Sequence, residues 1–184
     1  MSDDRPIGCY PGSFNPPTVA HLAVAEAAVA AAGLVRLDLV LSRVALGKED
    51  LDRPTVDERA VLLHQVASTR PWMGVVVTDH RLIVDIAQPY DVVVVGADKW
   101  RQINDPAWYG DDPASPQAID GRVAALAALP RILVAPRAGD RPDDVEVLDV
   151  DEAHHHVNAT DVRAAASHAD GWMLPEASRS GLWA

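Results

Sequence analysis

Residues 7–32 read IGCYPGSFNPPTVAHLAVAEAAVAAA, and the change of rhythm inside this stretch decides the fold. A short apolar run over 7–10 suits a buried strand. It gives way to Pro11, Gly12 and the pair Pro16-Pro17, a combination that forbids regular structure and forces a tight turn. From Thr18 onward the sequence is Ala-rich and helical in character, and Thr18 itself is a good helix cap, so a helix is predicted over 18–32. Strand, tight turn and helix form the opening unit of an α/β sheet. The turn aims the unpaired N–H groups of the helix start at the end of the strand, which is a place for phosphate. His21 lies one helical turn beyond Thr18, so hydroxyl and imidazole face the same opening.

Outward from this unit the alternation repeats. Apolar runs at 37–41, 74–77, 92–95, 132–135 and 145–150 are separated by helical patterns at 56–68, 81–87 and 118–129, with another at 160–168. Val92-Val93-Val94-Val95 has no polar partner in its alternation, as in strands buried on both faces of a parallel sheet. The pattern predicts one doubly wound α/β domain over 1–170, with right-handed crossovers and helices on both faces. Residues 171–184, with Trp172 and Trp183, read as a C-terminal tail that docks on the body or on another subunit of a homo-oligomer. Ligands of such sheets sit beyond the carboxyl ends of the strands. Two stretches, 104–117 and 136–144, are Pro-, Gly- and Asp-rich loops of a length that usually serves function.

Composition narrows the classes. A chain of 184 residues fits one domain. Its 16 basic and 27 acidic residues leave a net charge of −11, which argues against holding nucleic acid or an anionic membrane by bulk charge. Any bound phosphate must therefore meet a local site. A hydrophobic content of 48% supports a packed core and excludes a disordered chain. The single cysteine, Cys9, excludes an intramolecular disulfide and fits a reducing compartment. The acidic start MSDDRP is no signal peptide, and no apolar run is long enough for a membrane helix. A soluble, cytoplasmic protein is the expectation.

The turn is neither GxxxxGK[ST] nor GxGxxG, which removes the kinase-like and dehydrogenase readings. GSFNPPTVAH over 12–21 instead resembles the (H/T)xGH signature of the nucleotidylyltransferase superfamily, and its GSFNPPT form is similar to nicotinate and nicotinamide mononucleotide adenylyltransferases. Further matches follow in order. Gly96-Ala97-Asp98 resembles the family's GAD step, where a carboxylate accepts the ribose hydroxyls. Asn158-Ala159-Thr160-Asp161-Val162-Arg163 resembles SSTxxR, where a second helix start and an arginine hold the triphosphate. Gly47-Lys48-Glu49-Asp50-Leu51, followed by Pro54 and Arg59, is similar to a loop that offers a lysine to the acceptor's phosphate.

The resemblance implies a Rossmann-like fold and transfer of AMP from ATP, with Mg²⁺ accompanying it, to a phosphorylated acceptor. It implies His21, Thr18 and Arg163 as the catalytic set. ATP would meet these and Gly12, Ser13, Phe14, Gly96, Asp98, Asn158, Ala159 and Thr160. The acceptor would meet Asn15, Lys48 and Trp108, the last by stacking or else serving as a plug for its loop. Trp100 is a competing stacker that fits better against the following helix.

No dedicated carboxylate metal site is expected, because Mg²⁺ can be held by phosphate oxygens and water. His154-His155-His156, read as strand-like, would alternate sides and so not share one ion. This chain also departs from the family pattern. Ala20 stands where glycine is usual, and Asn158-Ala159 replace two serines. The segment 81–87, RLIVDIA, and the opening YPGSF are reminiscent of phosphopantetheine adenylyltransferases. Another acceptor, or a nucleotide-binding relative without turnover, are the alternatives.

Overall fold

The run Val92–Val95 lies in an interior strand of the sheet and shows why its sequence has no polar alternation. Val92 and Val94 are buried in one apolar cluster, and Val93 and Val95 in another on the opposite face. Each buried valine contributes about 1.5–3 kcal/mol. The computed structural model of the protein, which describes residues 5–44, 54–165 and 167–183, places this run in strand β4 (Val92–Gly96). It pairs in parallel within a five-stranded sheet formed with β1 (Ile7–Pro11), β2 (Arg36–Ser42), β3 (Met73–Thr78) and β5 (Arg131–Ala135), in the order β3-β2-β1-β4-β5. The chain thus winds outward from β1 to β3, then returns to β1's other side. The reversal lies between β1 and β4, where doubly wound sheets open a crevice.

One face carries α1 (Val19–Ala32), α2 (Val56–Ala67) and α7 (Pro175–Ser180), whose Val24, Leu63 and Ala177 join the first cluster. The other carries α3 (Ile83–Ala87), α4 (Ala97–Asn104) and α5 (Pro116–Ala128), which bury Ile86 and Trp100 and pack Leu126 against the second. Caps set the boundaries as their chemistry requires. Thr18, Thr55 and Ser115 each accept a backbone N–H at a helix start, and Gly33 ends α1 at φ 61°. No helix among the described residues is long and apolar enough to cross a membrane.

The structure departs from the sequence expectations in several places. The run 145–150 makes only one bridge, Val134 to Val147, and is no regular strand. It buries Leu148 and Val150, then leaves the edge to carry 151–163 over the ends of the strands. The helix expected over 160–168 is α6, Ala159–Arg163, and it stops before Ala165, which holds φ 50°. The histidine run is not strand-like, because Glu152–His154 forms a 3-10 turn. The C-terminal segment docks on the body, one of the two placements expected for it: Leu174 and Ala177 are buried in the main core, and Leu182 and Trp183 pack against it.

Cys9, in the middle of β1, is fully buried, and burial, followed by the charge of nearby Asp38, pushes its thiol up to about 12. The thiolate is the reactive form. Native protein at pH 8 should therefore resist iodoacetamide, whereas denatured protein is labelled fast. Mass spectrometry reads the difference, and rapid labelling of folded protein would show that β1 is not sealed.

Candidate active site

The loop between β1 and α1 is held from several sides. Gly12 N–H donates to Val40 O at 3.1 Å, and Arg59 Nη1 donates to Ser13 O at 2.5 Å. Arg163 Nη1 donates to Asn15 O. A Cβ on Gly12 would lie 2.9 Å from the Phe14 ring, so glycine is what lets that ring fold beneath the loop. The ring is fully buried and meets His21 edge-on, with centroids 5.1 Å apart.

His21 takes the place that glutamate or glutamine usually fills in a capping box. Thr18 N–H donates to Nδ1 at 3.0 Å, and Thr18 Oγ1 lies 2.8 Å from the same nitrogen. A nitrogen that accepts cannot carry the ring proton, so the proton of the neutral imidazole sits on Nε2. The sequence TVAH thus produces a fixed N–H donor at the head of α1.

A cavity of about 550 Å³ opens over the carboxyl ends of β1, β4 and β5, and its lining includes Thr18, His21, Gly96, Asp98, Thr160 and Arg163. Segments remote in sequence therefore meet around one space. Ser13, Ala20, Asn158 and Ala159 also line it. Asn158 caps α6: its Oδ1 accepts Asp161 N–H at 2.8 Å and its Nδ2 donates to Asp161 Oδ2 at 2.9 Å. The replacement of serine thus preserves the cap. Hydrogen bonds from His168 and Asn158 hold the Asp161 carboxyl below its ordinary range.

A smaller cavity of about 110 Å³ lies on the other side of the loop, at the ends of β1 and β2. Gly12, Ser13, Asn15 and Ser42 line it together with Arg59, Arg81 and Lys99, and its apolar wall is Val40, Ile83 and Ile86. Ser13 borders both cavities.

Charge is distributed against the chain's overall sign. The net charge is −11, yet Arg59, Arg81 and Lys99 line the smaller cavity and Arg101, Arg137 and Arg163 the larger. Arg101 pairs with Asp140, and Arg137 Nε lies 4.0 Å from Asp98 Oδ1. Among the described residues, Arg59, Arg81 and Arg163 form no ion pair. Arg59 is only 8% exposed, and burial and the nearby Arg163 guanidinium both lower its proton affinity. Two like charges held close to one loop, one of them buried, are stabilised by an anion placed between them.

Most of the residues singled out in the sequence meet here, with exceptions. Gly12 borders the smaller cavity rather than the one with His21, and Phe14 borders neither because its ring belongs to the core. Trp108 is 37% exposed in a 3-10 turn and lines neither cavity. Trp100 is buried beneath α4, its Nε1 donating to Asp144 at 3.2 Å. Lys48 lies outside the described residues. His154 and His155 line the larger cavity, His155 Nε2 donating to Val150 O at 2.9 Å, and His156 lies edge-on to Trp172. No cluster of metal-ligating side chains occurs among the described residues. Sequence reasoning gave no role to Arg59, Arg81, Arg101 or Arg137. Only Arg59 carried a signal, its place after the lysine loop.

A protein-family model described as cytidylyltransferase-like matches residues 9–164, which span both cavities. No curated protein matches the chain.

Proposed function

The chain belongs to the cytidylyltransferase-like family, and on that footing we propose that it transfers AMP from ATP to a phosphorylated small molecule, nicotinate or nicotinamide mononucleotide, with release of pyrophosphate. Nucleotidylyl transfer as such follows from the family. The finer reading is carried by one observation: two cavities that share Ser13 in their linings and are flanked by Arg59 and Arg163 can hold two anions side by side.

In this reading ATP fills the larger cavity. Asp98 receives the ribose hydroxyls, Thr160 and Arg163 hold the outer phosphates, and His21 Nε2–H donates to the α- or β-phosphate. The acceptor's phosphate lies by Asn15 and Arg59, with Lys48 supplying a further cation. One of its oxygens bonds to the α-phosphorus in line. The bridging α–β P–O bond breaks and its electron pair leaves on pyrophosphate. A phosphate monoester is largely dianionic near pH 7, with a second pKa of about 6, so no general base is needed. The protein contributes orientation and stabilisation of the charge that develops on the β-phosphate. Mg²⁺ arrives as part of the substrate, carried by phosphate oxygens and water.

A second reading of the acceptor is favoured by the position of Trp108, away from both cavities, and by the wall of Arg81, Ile83 and Ile86. An aliphatic body such as that of phosphopantetheine suits that wall better than a stacked pyridine ring. Pyrophosphate release from ATP or CTP, measured against nicotinate mononucleotide, nicotinamide mononucleotide and phosphopantetheine, decides. Turnover with a mononucleotide supports the first reading and turnover with phosphopantetheine the second. ATP binding without turnover on any acceptor makes the protein a non-catalytic relative, and preference for CTP moves the base assignment.

A further inference from the structure

Asn15 is 0% exposed, and its side-chain amide is divided between two tasks. Its Oδ1 accepts from Trp183 Nε1 at 2.6 Å, across nearly the whole length of the chain. Its Nδ2 is buried and has no hydrogen-bond partner among the described residues. Asn15 also lines the smaller cavity with Arg59, Arg81 and Lys99. A buried donor without a partner costs about 1–3 kcal/mol, and folded proteins seldom leave one without a use.

The indole N–H of tryptophan only donates, so it requires the amide to present oxygen. Because oxygen and nitrogen diverge from Cγ, this turns Nδ2 away from the C-terminal segment. The segment is anchored to reach that point. Val19 N–H donates to Trp172 O at 2.8 Å, and Leu174 N–H donates to Pro17 O at 3.1 Å. Gly181, at φ 71°, reverses the chain after α7, and Leu182 and Trp183 then pack on the core.

We propose that Trp183 is a positioning residue for the acceptor: it locks the Asn15 amide so that Nδ2 donates to an oxygen of the acceptor's anionic group in the smaller cavity. This rests on the acceptor occupying that cavity, as proposed above. Without the indole N–H the amide is free to present oxygen to the anion, which repels it.

Trp183→Phe keeps an aromatic ring and removes only the donor. With the acceptor that supports turnover, it should raise the acceptor's KM about 3- to 10-fold, the scale of one lost neutral hydrogen bond. The KM for ATP should stay the same. Asn15→Asp keeps an oxygen for Trp183 but faces the anion with a carboxylate, and should raise the acceptor's KM further. Thermal melting of both variants checks folding. Equal rises in the KM for ATP and acceptor, or an unchanged acceptor KM in Trp183→Phe at an unchanged melting temperature, would overturn the role of Trp183 while leaving the proposed reaction standing. If Trp183→Phe does not fold, Asn15→Asp decides alone: an unchanged acceptor KM overturns the proposal. If the unaltered chain turns over no acceptor, the proposed reaction fails first, and this inference with it.

Discussion

His21→Ala lowers kcat for pyrophosphate release by about 10²-fold or more, the scale measured when one preorganised donor to a developing oxyanion is removed. The size of the effect follows from how the ring is held. Thr18 occupies Nδ1 through its backbone N–H at 3.0 Å and its hydroxyl at 2.8 Å, so the donor on Nε2 is fixed before substrate arrives. A solvated donor would have to reorganise as charge builds on the β-phosphate; this one does not. The loss should fall mainly on kcat, since the interaction is made most strongly in the transition state. Steady-state kinetics at saturating acceptor reads this directly. A variant that keeps its rate would remove His21 from the phosphate site and leave it as a cap.

Arg163→Ala raises the KM for ATP by about 10- to 100-fold, the equivalent of the 1.5–3 kcal/mol carried by a hydrogen bond to a charged group. Arg163 is half-buried, donates to Asn15 O and lies 3.4 Å from Thr160 Oγ1 through its other terminal nitrogen, which sets its direction across the larger cavity. Arg163→Lys restores the charge but not the planar fork, and should recover only part of the loss. Because the same guanidinium ties down the loop at Asn15, melting temperatures accompany the kinetics. A rise in the acceptor's KM with that for ATP unchanged would place Arg163 on the wrong substrate.

The fold was legible where burial is two-sided. At 92–95 every residue faces a helix layer, so an unbroken apolar run had one meaning. The run 145–150 looked alike, but the Glu146 side chain turns outward to Arg131 at 2.6 Å, and the segment's backbone hydrogen-bonds the sheet at Val134 alone. Helix α4 escaped notice because its apolar residues are few, and Trp100 and Ile103 become core only once β4 and β5 lie beneath them.

The site was legible where one turn or one cap brings its groups together, as Thr18 and His21 do. It was illegible where the fold collects scattered arginines. With 14 of the 16 basic residues being arginine, nothing local separates Arg81 from those that stay on the surface, and Arg59 was marked only by its place after the lysine loop. Trp108 shows the converse case: a ring in a long loop, set outside both cavities by a turn that Asp105 caps.

A crystal structure of the protein with Mg²⁺ and a non-hydrolysable ATP analogue tests the central claim, that one triphosphate is gripped by groups from three distant segments. The triphosphate is expected in the larger cavity, with phosphate oxygens within hydrogen-bond distance of His21 Nε2 and of Arg163, and the ribose at Asp98. A nucleotide bound in another groove, with His21 and Arg163 untouched, would contradict it.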